Sequence, residues 1–125
     1  MNVLVTGGGT AGHVLPAIAI ATALRERGHD VALVGSERGI ETRLVPEAGF
    51  ALTVLPGRGI ARRFTLDNVG AVWGLVRAVF QAIALVRRVR PGAVVAVGGY
   101  ASVAVGLGAV LWRVPLLVHA QDAGP

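Results

Sequence analysis

The residues whose types and spacing suit ligand chemistry lie near the amino terminus, where residues 7–13 read Gly-Gly-Gly-Thr-Ala-Gly-His. An apolar, β-prone stretch precedes them, and apolar residues at helical spacing follow. Glycine permits a positive φ and lets a ligand approach where a Cβ would block it. A helix that begins behind the glycines presents unpaired N–H groups and a partial positive charge. The stretch therefore predicts a site for a phosphate or pyrophosphate.

His13 is the residue of this stretch that is suited to move a proton. A neutral imidazole can accept the proton of an attacking hydroxyl group. The alternative is a histidine that caps the helix or orients a ligand without proton transfer. Geometry must decide between the two roles, so both stay open.

The glycines also permit two other interpretations. Gly7, Gly9 and Gly12 satisfy G-x-G-x-x-G, the pattern of an NAD(P)-binding oxidoreductase domain, for which Glu37 is the candidate acidic residue after the second strand. The stretch can also be a strand-to-helix turn that needs glycine only for tight packing. A P-loop is excluded, because the sequence contains no lysine.

The elements that would position these residues alternate along the chain. A strand-to-helix alternation predicts an α/β Rossmann-like parallel sheet with helices on both faces. Such a sheet is expected to bind ligands at the carboxyl ends of its strands. Residues 7–13, 98–100 and 121–122 all fall at these ends, so we expect them to lie close together. Gly28 and Gly49 are predicted helix stops. The predicted strands are 3–6, 31–34, 51–55, 93–97 and 116–119, and the predicted helices are 13–27, 40–48, 67–89 and 101–113.

Composition restricts the partners. The net charge of +5 fits phosphate ligands, an anionic membrane surface or nucleic acid, but 5% aromatic residues leave little for base stacking, so no nucleic acid is expected. Three scattered histidines and no cysteine predict neither a metal site nor disulfides. No targeting segment precedes the first strand, which predicts a cytoplasmic location. Residues 93–112 carry no charge, but a strand, a glycine turn and a core helix explain them better than a membrane span.

Three motifs, at residues 8–13, 98–100 and 119–122, together resemble the MurG family of N-acetylglucosaminyltransferases along the whole chain. The resemblance implies the N-terminal half of a GT-B glycosyltransferase. Residues 1–125 would form its acceptor-binding domain, cut short after the fifth strand, with the C-terminal donor-binding domain absent and the chain alone inactive. The implied reaction is inverting transfer of GlcNAc from UDP-GlcNAc to the C4 hydroxyl of lipid I, giving lipid II for peptidoglycan, without cofactor or metal.

The resemblance also assigns roles to single residues. It implies His13 as the catalytic base and donor contacts from Thr10, Ala11, Gly12 and Asp122. Independently of the resemblance, the backbone N–H groups of Gly98, Gly99 and Tyr100 suit a second cradle, for the acceptor pyrophosphate, and the alternative there is a tight strand-to-helix turn. The chain departs from the family pattern in three places. Ala11 stands for a glycine, Ala120 for a glutamate and Asp122 for an asparagine, and the last change puts a negative charge near a pyrophosphate.

A basic loop and the long helix after it predict peripheral docking on the anionic cytoplasmic face of the cell membrane. Their apolar surface is wider than one core-facing stripe needs. The alternatives are a helix buried by a neighbouring element and a non-catalytic membrane-docking subunit that serves a separate catalytic partner. The predicted docking residues are Arg58, Arg62, Arg63, Phe64, Trp73 and Phe80.

Overall fold

The computed structural model describes residues 1–7, 11–36, 39–55, 67–98 and 100–119. Within them, strands and helices alternate as the sequence predicts. The strands are β1 (Asn2–Gly7), β2 (Asp30–Ser36), β3 (Leu52–Leu55), β4 (Ala93–Gly98) and β5 (Leu116–Val118). The helices are α1 (Ala11–Glu26), α2 (Glu41–Glu47), α3 (Asp67–Val89) and α4 (Tyr100–Leu111).

The strands form one parallel sheet in the order β3-β2-β1-β4-β5. Val5 at the centre pairs with Leu33 of β2 and Val95 of β4. The chain builds outward from β1 in one direction through β2 and β3, then returns to the other side of β1 with β4. The order therefore reverses between β1 and β4, and the crevice at the carboxyl ends of these strands is where such sheets bind ligands.

The helices cover the two faces of the sheet with two separate cores. On one face Leu4 and Val94 pack beneath α3 and α4, and on the other Val5 and Val95 pack beneath α1. Successive residues of β1 thus alternate between the cores, as the two-residue period of a strand requires. The predicted Rossmann-like sheet with helices on both faces is confirmed.

The element boundaries follow the sequence prediction closely, and α3 has the predicted limits. Gly28 and Gly49 follow their helices with φ of 90° and 86°, as predicted for helix stops. The clearest difference is α4, which ends at Leu111 rather than at residue 113. Arg113 takes a φ of 56°, which ends the helix and lets the N–H of Val114 donate to the carbonyl of Ala109 at 2.8 Å.

The uncharged run of residues 93–112 is divided between β4 and α4, as expected from its glycines. In the described part of the chain no helix has both the length and the apolar character needed to cross a bilayer.

Candidate functional site

His13 and Gly98 meet at the carboxyl end of the β1–β4 pair. His13 is the third residue of α1 and is half-buried. Its imidazole fills the space beside Gly98, since an ideal Cβ on Gly98 would lie 2.6 Å from His13 Cδ2 and 2.8 Å from Nε2. Two residues that the sequence pattern placed in separate loops are therefore in direct contact at the predicted crevice.

The backbone at Gly98 is irregular in a way that serves this contact. Thr6 pairs with Ala96, but the next residue, Gly7, pairs with Gly98, so Val97 is an extra residue in β4. Such a bulge bends a strand and redirects the groups that follow it. Gly98 has a φ of 141°, a conformation that side chains rarely adopt. The bulge and the glycine together direct the end of β4 toward His13.

Ser102 holds this irregular backbone from the first turns of α4. The N–H of Gly98 donates to Ser102 Oγ at 3.1 Å, and Ser102 Oγ lies 2.8 Å from the carbonyl oxygen of Gly98 and 3.1 Å from that of Thr6. The hydroxyls of Thr6 and Ser102 are 2.7 Å apart, and both residues are buried. Sequence reasoning passed over both. A serine inside an otherwise apolar helix was the available signal.

Gly7 supports the packing interpretation of the glycine stretch at one position. An ideal Cβ there would lie 2.9 Å from Ala17 Cβ and 3.0 Å from the carbonyl oxygen of His13. The start of α1 therefore packs directly against the end of β1. This close approach brings α1 and its N-terminal N–H groups to the crevice.

Glu41 is a second buried polar residue at this edge of the sheet that sequence reasoning missed. Its Oε1 accepts hydrogen bonds from the backbone N–H of Ser36 at 2.9 Å and from the Ser36 hydroxyl at 2.8 Å. An ideal Cβ on either Gly35 or Gly39 would collide with the Glu41 side chain. The carboxylate therefore replaces missing backbone partners in the β2–α2 turn, and both glycines make room for it.

An exposed apolar face on α3 is the second candidate site. Trp73 is 63% exposed and Phe80 69%, with the partly exposed Val76 between them on the same helical face. No element in the described part of the chain covers this face. The structure thus places the predicted residues Trp73 and Phe80 on the surface, on the side away from the packing with α4.

A groove of about 580 Å³ continues this face to the end of α3. Trp112 forms part of its wall, because its indole N–H donates to the carbonyl of Ile83 at 3.1 Å. The guanidinium of Arg87 lies 5.5 Å from the centre of the Trp112 ring. The lining of the groove therefore combines apolar side chains with three arginines. Its lining residues are Phe80, Ile83, Ala84, Arg87, Arg88, Arg90 and Trp112.

The remaining predicted residues are placed only in part. Gly12 is the exposed second residue of α1, and Ala11 and Tyr100 are the first residues of α1 and α4. Within the described residues, no group of three or more histidine, aspartate or glutamate side chains could hold a metal ion. Outside the described residues lie Thr10, Glu37, Arg58, Arg62, Arg63, Phe64, Gly99, Ala120 and Asp122.

Comparison with known proteins gives a consistent result. The family model described as the glycosyltransferase family 28 N-terminal domain matches residues 3–125. A Moorella thermoacetica protein is 43% identical over the whole chain, and a Pseudomonas fluorescens protein is 44% identical over 98% of it. Both are named UDP-N-acetylglucosamine–N-acetylmuramyl-(pentapeptide) pyrophosphoryl-undecaprenol N-acetylglucosamine transferase. The chain spans 34% of the length of each.

Solved structures support the same assignment of the fold. The crystal structure of Acinetobacter baumannii MurG matches 98% of the chain with a TM-score of 0.85 and 30% identity, and the chain covers 36% of it. The Streptomyces glycosyltransferase SsfS6 matches 94% of the chain with a TM-score of 0.67, and there the 24% identity shows the fold alone. The fold is that of GT-B glycosyltransferase N-terminal domains, and the oxidoreductase alternative is not favoured.

Proposed function

This chain belongs to glycosyltransferase family 28, and from that membership and the site geometry we propose that it is the acceptor-binding domain of a GlcNAc transferase. The complete enzyme would transfer GlcNAc from UDP-GlcNAc to the C4 hydroxyl of lipid I and so form lipid II. The contact between His13 and Gly98 at the β1–β4 crevice carries the proposal, because it puts a proton acceptor at the carboxyl ends of these two neighbouring strands. The names of the relatives support the choice of substrates.

In the proposed mechanism His13 acts as the base. Its imidazole accepts the proton of the acceptor C4 hydroxyl while that oxygen attacks the anomeric carbon of GlcNAc. The bond from this carbon to the UDP oxygen breaks on the opposite side, so the configuration inverts and UDP leaves with the electron pair. The fixed position of the imidazole against Gly98 would hold it ready for this step.

The two helices at the crevice supply positive charge for two pyrophosphates. α1 and α4 both begin at the carboxyl edge of the sheet, beside Gly7 and Gly98. Their N-terminal N–H groups and partial positive charges favour anions. We assign the α1 side, with Thr10, Ala11, Gly12 and Asp122, to the donor. The α4 side, with Gly98, Gly99 and Tyr100, is assigned to the acceptor.

The exposed face of α3 and its groove are proposed to dock on the membrane that carries lipid I. Trp73 and Phe80 supply apolar side chains for the interface, and Arg87 and Arg88 supply charge for anionic head groups. In this proposal Arg58, Arg62, Arg63 and Phe64 also take part in docking. The enzyme would thus be peripheral on the cytoplasmic face of the membrane, with the donor domain supplied by the rest of the protein or by a partner chain.

Grafting tests the proposed activity. This chain replaces the matching third of the Moorella thermoacetica relative, and lipid II is measured after adding UDP-GlcNAc and lipid I. We expect the parent graft to be active and His13→Ala to lower kcat by roughly 10²–10⁴-fold, with donor affinity little changed. A folded parent graft that transfers no GlcNAc contradicts the function.

His29→Ala is the matched control for this test. His29 lies near the opposite edge of the sheet, where its Nδ1 is 3.2 Å from the amino terminus. Its substitution should leave kcat unchanged. If His13→Ala also keeps a near-normal kcat, His13 is a capping or orienting residue and not the base.

A further inference from the structure

We propose that Ser102, together with Thr6, is a positioning residue for His13, and this inference rests on the proposed function of His13 as the base. Ser102 influences the imidazole indirectly. It acts through the backbone of Gly98, whose N–H and carbonyl groups both lie within hydrogen-bond distance of one serine hydroxyl. The Gly98 backbone is in turn the surface that His13 packs against.

The hydroxyls of Ser102 and Thr6 and the backbone of Gly98 form one hydrogen-bond network. The hydroxyl of Ser102 has one proton, and the carbonyl oxygens of Gly98 and Thr6 are both within its reach, at 2.8 and 3.1 Å. When the Ser102 proton goes to one of these carbonyls, Thr6 Oγ1 is the donor in the 2.7 Å contact between the two hydroxyls. In this arrangement the Ser102 oxygen accepts from both Thr6 Oγ1 and the Gly98 N–H.

The position of these groups explains why a hydroxyl pair is needed here. The bulge at Val97 interrupts the regular ladder between β1 and β4. At such an interruption, backbone groups lose their regular partners, and leaving one unsatisfied in a buried place is costly. Ser102 is buried and supplies partners to both ends of the interruption, at Thr6 and at Gly98. It therefore fixes the stretch of β4 against which His13 packs.

The first experiment measures the position of His13 in this chain without any assay of activity. Magnetisation transfer between the His13 Cδ2 proton and the Gly98 α protons reports their distance. We expect a strong signal in the parent, a weakened or lost one in Ser102→Ala, and a smaller loss in Thr6→Val. Thr6→Ser restores the hydroxyl and should restore the signal. An unchanged signal in a folded Ser102→Ala variant overturns the proposal.

Thr22→Ala is the matched control. The Thr22 hydroxyl donates to the carbonyl of Ile18 at 2.8 Å on the same helix as His13, but well away from the crevice. Its loss should not move the His13 signal. If Ser102→Ala fails to fold, Thr6→Val carries the test, and a parent-like signal in that variant contradicts the role of the hydroxyl pair.

The second experiment separates this proposal from the proposed function. In the grafted enzyme, Ser102→Ala should lower kcat by roughly tenfold to a hundredfold, the range for a small displacement of a catalytic group, while KM for UDP-GlcNAc changes little. Displacement of His13 without any loss of kcat would retain the positioning role and reject His13 as the base. A loss of kcat with His13 in its parent position would reject the positioning role.

Discussion

The imidazole of His13 occupies the space that a side chain on Gly98 would need. An ideal Cβ on Gly98 would lie within 3.2 Å of three ring atoms, and the φ of 141° at this residue is itself unfavourable for any other amino acid. The choice of amino acid at position 98 is therefore restricted both by the backbone conformation there and by the His13 ring of α1. The two restrictions meet at the candidate site.

Gly98→Ala should destabilise the domain and displace His13. We expect the free energy of unfolding to fall by about 1–3 kcal/mol, the usual cost of a strained backbone conformation. Urea unfolding measures it. Gly106→Ala is the control, since a Cβ in that part of α4 meets only Leu116 Cδ2, at 3.7 Å. That variant should gain up to about 1 kcal/mol from helix propensity, and equal losses in both would contradict the argument.

Glu41→Ala should also destabilise the domain, because the N–H and hydroxyl of Ser36 lose a buried charged acceptor. A loss of about 2 kcal/mol is expected in urea unfolding, and Glu41→Gln should lose less because its amide oxygen still accepts. Glu47→Ala on the exposed side of the same helix should stay within about 0.5 kcal/mol of the parent. Equal free energies of unfolding for Glu41→Ala and Glu47→Ala would contradict this prediction.

Replacing Arg87 and Arg88 by glutamine should weaken binding to anionic vesicles. Each arginine near such a surface contributes about 1 kcal/mol, so the pair should account for roughly a 25-fold difference at low salt. Vesicle sedimentation measures it. Arg27, which follows α1, and Arg43, on α2, make a matched control. Both are exposed and lie outside α3, and their replacement by glutamine removes the same charge. Equal effects of the two double variants would mean that only net charge matters.

Trp73→Ala and Phe80→Ala should reduce the part of vesicle binding that survives high salt. Salt screens the arginines over a Debye length of about 8 Å at physiological ionic strength, but it does not weaken apolar insertion. Both side chains are exposed, so unfolding in urea should change little. Parent-like binding by the double variant at high salt would show that this face of α3 does not enter the membrane.

The sequence was sufficient to predict the architecture. The alternation of β-prone runs with helical patterns, the glycine stops and the limits of α3 are local features, and local features can be recognised from the residues near them. The convergence of Gly98 and His13 was also predictable in outline, because the carboxyl ends of parallel strands share one edge.

The bonds that complete the site were not predictable. Ser102 in an apolar helix is consistent with an ordinary serine that bonds the carbonyl four residues earlier, as it does with Gly98. Its second partner, Thr6, is 96 residues away and lies beside the register shift between β1 and β4. Glu41 was not predictable either, because a glutamate is normally expected on the surface. Its burial is explained only by the structure, in which its carboxylate accepts from the N–H of Ser36.

The place of β1 in the sheet also has a consequence for biosynthesis. Val3 pairs with Ala93, so ninety further residues must be made after Val3 before the second neighbour of β1 exists. At typical translation rates of about 5–20 residues per second, this delay is roughly 5–20 s. During it, one edge of β1 presents unpaired N–H and carbonyl groups to any extended chain nearby. The strand at the centre of the described sheet therefore keeps one edge unpaired throughout the synthesis of β2, α3 and the start of β4.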